Sequence, residues 1–467
     1  MLRLFKQYYS VRNAFFVMSE AFLILFSVVL SYLAVIGVDD FTADRFFFIR
    51  IFFIVFVCQV CLYYNELYNF RIITSFKEFN IRLLQALGAA FIIIGFFYFI
   101  MPAVMIGRGV SSVSIGFIII WMIIWRFLYR FVLARGWLNQ KIMLLGSSTL
   151  VNYINEEVEK NKDCGYEVQL IIPESEDGNG LDFKNYNFAC EQDWTVGSVS
   201  LADIARKNNV KKIIIGLKEK RGALPIRQLL DCKMFGLDIL DSNTFYEMLM
   251  GKINVKQINP AWFIFSEGFN KSLSLRLFKR SADIVLSFAM LIVLSPLMIV
   301  VSLIIRMDSK GPVIFSQERI GYKKNKYFLY KFRSMIVNAE ENGPVWAQTD
   351  DDRITKPGRW IRKYRIDELP QLFNILKGEM SFVGPRPERD FFVKELESEI
   401  PYYGKRFSVK PGLTGWAQIN YPYGASIEDA LEKLNYELFY IKNVSMFLDI
   451  TILIRTVKTV LFCQGSR

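Results

Sequence analysis

The sequence predicts a membrane protein of mixed class, α-helical in its membrane part and α/β in its soluble parts, and three observations carry that prediction. Four apolar stretches open the chain, near 14–36, 46–64, 83–101 and 113–133, each matching the roughly 20 residues a helix needs to cross a bilayer. Between about 141 and 257, short β-type runs alternate with helical ones, the pattern of a parallel sheet with crossover helices. A fifth apolar run then leads into a mixed α/β region. The expected architecture is a four-helix transmembrane bundle over 1–137, a Rossmann-like soluble domain over 138–262, and an α/β domain over 263–467 with a re-entrant membrane helix at 281–305.

Composition narrows the function classes. Of 467 residues, 52% are hydrophobic, with 42 Phe and 8 Trp, and mean hydropathy is positive. The formal charge of +12 suits either nucleic acid or an anionic lipid or phosphate partner. So much apolar sequence decides for the membrane and against nucleic acid. Histidine is absent, which excludes imidazole acid–base chemistry and histidine metal ligands. Cys58 and Cys61 have Cys-x-x-Cys spacing but lie inside an apolar run; with Cys164, Cys190, Cys232 and Cys463 they read as reduced structural thiols. The first apolar stretch is too long for a cleavable signal peptide and lacks a small-residue cleavage pattern.

Positive charge orients the four spans. Arg3, Lys6 and Arg12 precede the first; Arg71, Lys77 and Arg82 separate the second and third; Arg126, Arg130, Arg135 and Lys141 end or follow the fourth. The opposite loops hold Asp39, Asp40, Asp44 and Arg45, and a lone Arg108. Both ends of the bundle are therefore expected in the cytoplasm. Its buried polar content reads as low, which makes it an anchor. In the next region, strands are expected at 141–146, 168–172, 212–216 and 237–240, with helices at 149–160, 201–208 and 225–235. Gly146-Ser-Ser-Thr lacks the glycine spacing of a dinucleotide loop, which favours a regulatory or scaffolding role.

The fifth apolar run, 282–305, has basic residues on both sides: Arg276, Lys279 and Arg280 before it, Arg306 and Lys310 after. A full span would leave one cluster outside. Ser295-Pro296 sits near its middle, where proline removes a backbone bond and the serine hydroxyl can satisfy the freed carbonyl. A re-entrant hairpin dipping into the inner leaflet is the economical reading, and a proline-kinked helix that spans the bilayer is the alternative. The last helix, 445–462, sets Asp449, Arg455 and Lys458 among Phe, Ile, Leu and Val and reads as an interfacial amphipathic helix, since 444–454 alone is too short to cross.

Chemistry concentrates around Asp367-Glu368. A basic approach (Arg359, Arg362, Lys363, Arg365) precedes them, and a short helix follows, with Pro370 in its first turn, an apolar face of Leu369, Leu372, Phe373 and Leu376, and Gly378 as its stop. Taken alone, Asp367 is a good helix cap. Strand alternation puts Lys331 and Arg333 on one face, a pairing suited to a diphosphate. Arg386, between Pro385 and Pro387, offers a guanidinium on a rigid backbone. Two carboxylates among such cations suggest Mg²⁺ held with substrate phosphate oxygens.

Three segments, Lys331-Phe-Arg-Ser-Met335, the stretch Gly358–Glu388, and Ser408-Val-Lys-Pro-Gly-Leu-Thr-Gly-Trp-Ala-Gln-Ile-Asn420, resemble those of the monotopic polyprenyl-phosphate phosphoglycosyl transferases of bacteria, over about 276–462. That resemblance implies an enzyme of the inner membrane, multi-pass, with its catalytic domain on the cytoplasmic face, at the first membrane step of exopolysaccharide, capsule or O-antigen synthesis. It implies transfer of hexose 1-phosphate from a UDP-sugar to undecaprenyl phosphate, with release of UMP. Asp367 then matches the family's nucleophile, Glu368 a Mg²⁺ ligand alongside it, and Ser295-Pro296 the re-entrant kink. Arg406, Lys410 and Pro411-Gly-Leu-Thr-Gly415 resemble a segment near the nucleotide, and Lys331, Arg333, Arg362 and Arg386 complete the expected substrate-binding set. Trp416 is expected to pack. Many relatives continue with an Asn-Gly-Arg-type segment where this chain has Asn420-Tyr-Pro-Tyr-Gly424, which leaves the sugar open among glucose, galactose and an N-acetylhexosamine. A homodimer is compatible with this architecture. The alternatives are a membrane glycosyltransferase, which would release UDP, and a scaffold of polysaccharide assembly with an inactive site.

Overall fold

The computed structural model describes residues 11–37, 46–68, 76–102, 105–107, 109–136, 139–161, 164–174, 200–217, 224–258, 260–337, 351–422 and 426–461, together with 2–4, 7–9, 339 and 424. Arg71, Arg108, Cys190, Cys463 and the acidic loop Asp39, Asp40, Asp44 with Arg45 fall outside the described residues. Apart from the first seven residues, the chain forms two compact units, Tyr8–Ser242 and Asn243–Arg467.

In the first unit, α1 (Val11–Val35), α2 (Phe47–Tyr64), α3 (Phe76–Ile100) and α4 (Val110–Ala134) share one apolar core. Each contains a stretch long and apolar enough to cross a membrane. Large side chains such as Phe52, Phe56, Ile92 and Phe127 face outward, the arrangement that hydrocarbon surroundings favour. The core is less apolar than the sequence suggests. Glu20 of α1 and Arg126 of α4 form a buried ion pair at 2.6 Å, and the Arg126 guanidinium lies over the Phe16 and Phe79 rings. A single acid in one apolar run shows no partner until a distant run supplies it.

The same unit holds a four-stranded parallel sheet, β1 (Gln140–Leu145), β2 (Tyr166–Ile172), β3 (Lys212–Ile215) and β4 (Asp238–Asp241), in the order β2-β1-β3-β4. Helices α5 (Thr149–Lys160), α6 (Leu201–Lys207) and α7 (Ile226–Met234) connect the strands. Ser148 and Ser200 cap α5 and α6 with their hydroxyls. Gly146 turns the chain at φ +110° where a Cβ would strike the Gly216 backbone, so β1 and β3 close tightly at their ends.

The second unit opens with α8 (Ser242–Met250), most of which belongs to it: Glu247 takes Lys442 at 2.6 Å and Asn443 at 2.8 Å, and Ile253, Val255 and Ile258 join its core. After α9 (Pro260–Phe265) comes α10 (Leu273–Asp308), one continuous helix of 36 residues where a two-armed hairpin was expected. The reason is local. Pro296 deprives the Ile292 carbonyl of its donor, and the Ser295 hydroxyl replaces it at 2.8 Å, so the helix runs through. The N-terminal half of α10 is fixed by Asp283, which accepts from the Phe382 N–H at 3.1 Å and the Ser381 hydroxyl at 3.2 Å, and by Lys279, which pairs with Asp449. Its C-terminal half packs Val301 and Ile305 on Phe332 and Ile361. Between them Val285, Phe288, Ile292, Val293 and Ile299 are exposed.

The hairpin β5 (Ile314–Ile320) and β6 (Lys326–Phe332) follows, then α11 (Lys356–Lys363), α12 (Gln371–Lys377), β7 (Ser381–Val383), α13 (Asp390–Glu399), β8 (Gly412–Thr414), α14 (Trp416–Asn420), α15 (Ile427–Asn443) and α16 (Met446–Leu461). β7 and β8 pair in parallel. In α16, Leu448 and Ile452 are buried while Phe447, Ile450, Ile454 and Val457 form an outward apolar stripe. Asp449, a polar position in a helix read as amphipathic, is buried against Lys279 and Tyr440.

Candidate active site

Asp367 and Glu368 lie on a single 3₁₀ turn, Ile366–Glu368, between α11 and α12. Thr355 caps α11 by accepting from the Gly358 N–H at 3.1 Å, and Gly358 sits where any side chain would strike the Ser334 carbonyl. Arg365 ends the approach with φ +56°, a left-handed conformation costly for a residue with a Cβ, and this swings the chain sharply into the acidic turn. Gly378, at φ +88°, terminates α12 by the expected glycine stop. The buried face of α12 differs from the expected one. Leu372 and Ile375 are buried with Gln371 and Asn374, whereas Phe373 is exposed. Asn374 explains the rotation: its amide donates to Phe328 O at 2.7 Å and to Glu379 at 2.7 Å, and its carbonyl accepts from Tyr330 N at 3.1 Å. One side chain thus substitutes for a neighbouring strand along the free edge of β6 and fixes the acidic turn beside Lys331.

The carboxylates are only 7% and 9% exposed, and cations surround them. Lys331 Nζ lies 3.2 Å from Glu368 Oε1 and 3.9 Å from Asp367 Oδ2. Arg386 Nη2 is 3.4 Å from Glu368 Oε1, and Arg365 Nη1 is 3.9 Å from Glu368 Oε2. Burial pushes the Asp367 carboxyl above the usual range; Lys331, Arg362 and Arg386 pull against it, and the adjacent Glu368 charge adds to it. Burial pushes Glu368 up as well, but Lys331, Arg386 and Arg365 together outweigh it and hold the group down at about 2. The pair is therefore split, Glu368 firmly ionised and Asp367 the more basic member. Paired carboxylates in unlike environments suit different tasks.

Two oxygen donors fit Mg²⁺, which commonly takes one or two carboxylates and fills its remaining positions with water and substrate phosphate. Among the described residues, no cluster of three or more carboxylate or thiol ligands offers a full cage. The depressed Glu368 suits a hard cation best, since it stays charged at any working pH.

Lys331 and Arg386 thus reach the acidic pair, Arg362 lies near enough to Asp367 to act on its charge, and three expected binding residues are placed elsewhere. Arg333 lies one residue beyond β6; its guanidinium donates to the carbonyls of Lys310 (3.0 Å) and Ser309 (2.8 Å) and to the Ser309 hydroxyl, capping the C-terminus of α10. Arg406 is buried in a two-pronged pair with Glu437, at 2.9 and 2.7 Å. Lys410 sits beside Arg280 and Gly378, at the opposite end of α12 from the acidic turn. The turn following Lys410 backs the Arg386 loop instead: Gly412 N donates to Pro385 O at 2.8 Å and Gly384 N to Thr414 O at 2.9 Å. Trp416 packs on Phe439 and donates to Gly251 O. Asn374, Glu437 and Asp283 went unread in the sequence. Each is a polar residue on the apolar face of its helix, which is the signal that could have found them.

The family model described as bacterial sugar transferase matches residues 274–463. The UDP-N-acetylgalactosamine-undecaprenyl-phosphate N-acetylgalactosaminephosphotransferase of Aeromonas hydrophila is 45% identical over 189 residues, 40% of this chain and 45% of that protein. The UDP-glucose:undecaprenyl-phosphate glucose-1-phosphate transferase of Klebsiella pneumoniae is 34% identical over 333 residues, 69% of this chain and 68% of that one. An uncharacterized sugar transferase of Bacillus subtilis is 40% identical over 191 residues, 40% of this chain but 89% of its own length. The chain thus spans less than half of the Aeromonas relative and about two thirds of the Klebsiella one. With a match sustained at that identity over two thirds of a full-length relative, the chain belongs to the bacterial sugar transferases, the polyprenyl-phosphate phosphoglycosyl transferases.

Proposed function

We propose that this protein transfers a sugar 1-phosphate from a UDP-sugar to undecaprenyl phosphate through a covalent intermediate on Asp367. The observation that carries the reading is the buried, electrostatically split Asp367–Glu368 pair ringed by Lys331, Arg362 and Arg386. An Asp367 carboxylate oxygen attacks the β-phosphorus, and the bond from that phosphorus to the bridging oxygen breaks. UMP departs with the electron pair, leaving an acyl phosphate that carries the sugar. A phosphate oxygen of undecaprenyl phosphate then attacks the same phosphorus, forming the lipid diphosphate and returning the carboxylate. Lys331, Arg362 and Arg386 neutralise the diphosphate oxygens as charge moves onto the leaving phosphate. Glu368, with Asp367 beside it, would hold Mg²⁺, which when bound supplies charge neutralisation on the diphosphate. The Aeromonas relative's name makes UDP-N-acetylgalactosamine the first donor to test. Purified protein given Mg²⁺, undecaprenyl phosphate and a panel of UDP-sugars is expected to release UMP from one of them. Release of UDP would instead establish a glycosyltransferase.

The reading extends to the membrane. Both halves of α10 rest on the same soluble unit, at Asp283 and at Ile305, while its middle is apolar and exposed. A crossing helix would carry one end away from that unit, so α10, continuous but bent where Pro296 interrupts its hydrogen bonds, enters and leaves on the cytoplasmic side of the bacterial inner membrane. Arg276→Cys and Lys310→Cys are both expected to react with an impermeant maleimide only when the cytoplasmic face is opened. Labelling of either one from outside would show a crossing helix.

A further inference from the structure

We infer that Arg406 and Glu437 form a positioning pair that acts through Arg386, holding its peptide so that the guanidinium reaches the acidic turn; this rests on the site reading above. The loop bearing Arg386 is unusual in how completely its backbone is held. Pro385 and Pro387 have no N–H to give, so the Arg386 N–H is the one backbone donor of residues 385–387. The Glu437 carboxylate lies near enough to this N–H for it to favour the charged carboxylate. The Arg386 carbonyl accepts from Arg406 Nη2 at 2.9 Å, and the same nitrogen donates to Glu437 Oε1 at 2.7 Å. Neighbouring carbonyls are also held, Pro385 O by Gly412 N at 2.8 Å and Glu388 O by Ile320 N at 3.0 Å. Tyr403 OH accepts from Arg406 Nη1 at 2.6 Å and fixes the remaining arm.

A buried ion pair is a poor device for stability, because desolvating both charges costs about as much as their attraction returns. It is a good device for geometry. A forked guanidinium anchored on a carboxylate can hold one peptide carbonyl at a fixed distance, which apolar packing cannot. Arg406 (4% exposed) and Glu437 (4% exposed) do not face the substrate themselves.

The test is a double-mutant cycle on the full-length protein, reading UMP release and thermal unfolding. Arg406→Met with Glu437→Leu replaces the pair by apolar side chains of similar bulk. Cooperative unfolding is expected to persist, while kcat/KM for the UDP-sugar falls about ten- to a hundredfold. Arg386→Ala alone should cause a comparable loss, and adding it to the double variant should cost less than about twofold more, since both act through one guanidinium. Full activity in the double variant, or losses that multiply with Arg386→Ala, would overturn the inference. If the double variant does not fold, Arg406→Lys keeps the charge but loses the fork, and the same criterion of non-multiplying losses decides. A wild-type protein that releases no UMP from any UDP-sugar would sink the site reading instead, so the two failures are distinct.

Discussion

Asp367→Asn is expected to abolish turnover and to stabilise the protein in the same stroke. In the proposed mechanism Asp367 is the nucleophile, and its loss should lower kcat by on the order of 10³-fold or more. Its folded pKa is raised by burial and by Glu368, so keeping it ionised at neutral pH works against folding. A neutral side chain of the same shape removes that cost. UMP release and the unfolding midpoint, measured on one preparation in detergent, should therefore move in opposite directions. An equal fall in both would mean that Asp367 is a structural cap.

Lys331→Met should lower kcat/KM about a hundredfold, as removal of one preorganised donor commonly does, and should also shift the pH profile. In the proposed mechanism the working form of Asp367 is the carboxylate, so activity is expected to disappear as pH falls through its folded pKa. Lys331 is the strongest influence pulling that value down. Without it the pKa rises further, and the acid limb of kcat/KM should move to higher pH. Glu368, depressed mainly by the same lysine, contributes stability that is present above its unfolded pKa and lost as pH falls toward about 2, so the variant should also lose part of that acid tolerance. An unchanged acid limb would assign the titration to some other group.

Much of this was legible in the residues because it depends on local periodicity. The four spans are length and hydropathy alone; the parallel sheet is alternation of β and α segments; the stop at Gly378 and the Ser295–Pro296 pairing are backbone chemistry at single positions. What escaped depends on long-range partners. Strand alternation does put Lys331 and Arg333 on one parity, but the strand ends at Phe332, and the open carbonyls of α10 capture Arg333. Arg406 has the look of a substrate cation until Glu437, thirty-one residues on, is seen to bury it. Glu20 and Arg126 are separated by 106 residues and meet only in the folded bundle. Asn374 stands out in the sequence only as a polar residue on an apolar helix face, and the β6 edge it repairs is set by the fold.

The covalent step is the centre of this account, and one measurement reaches it directly. Protein is mixed with Mg²⁺ and the UDP-sugar that supports turnover, with undecaprenyl phosphate withheld, and UMP is counted against active sites. A burst approaching one UMP per site, absent in Asp367→Asn and followed by lipid product when undecaprenyl phosphate is added, is the predicted result. UMP that appears only after undecaprenyl phosphate is present would contradict it, and would mean that the lipid phosphate attacks the UDP-sugar directly.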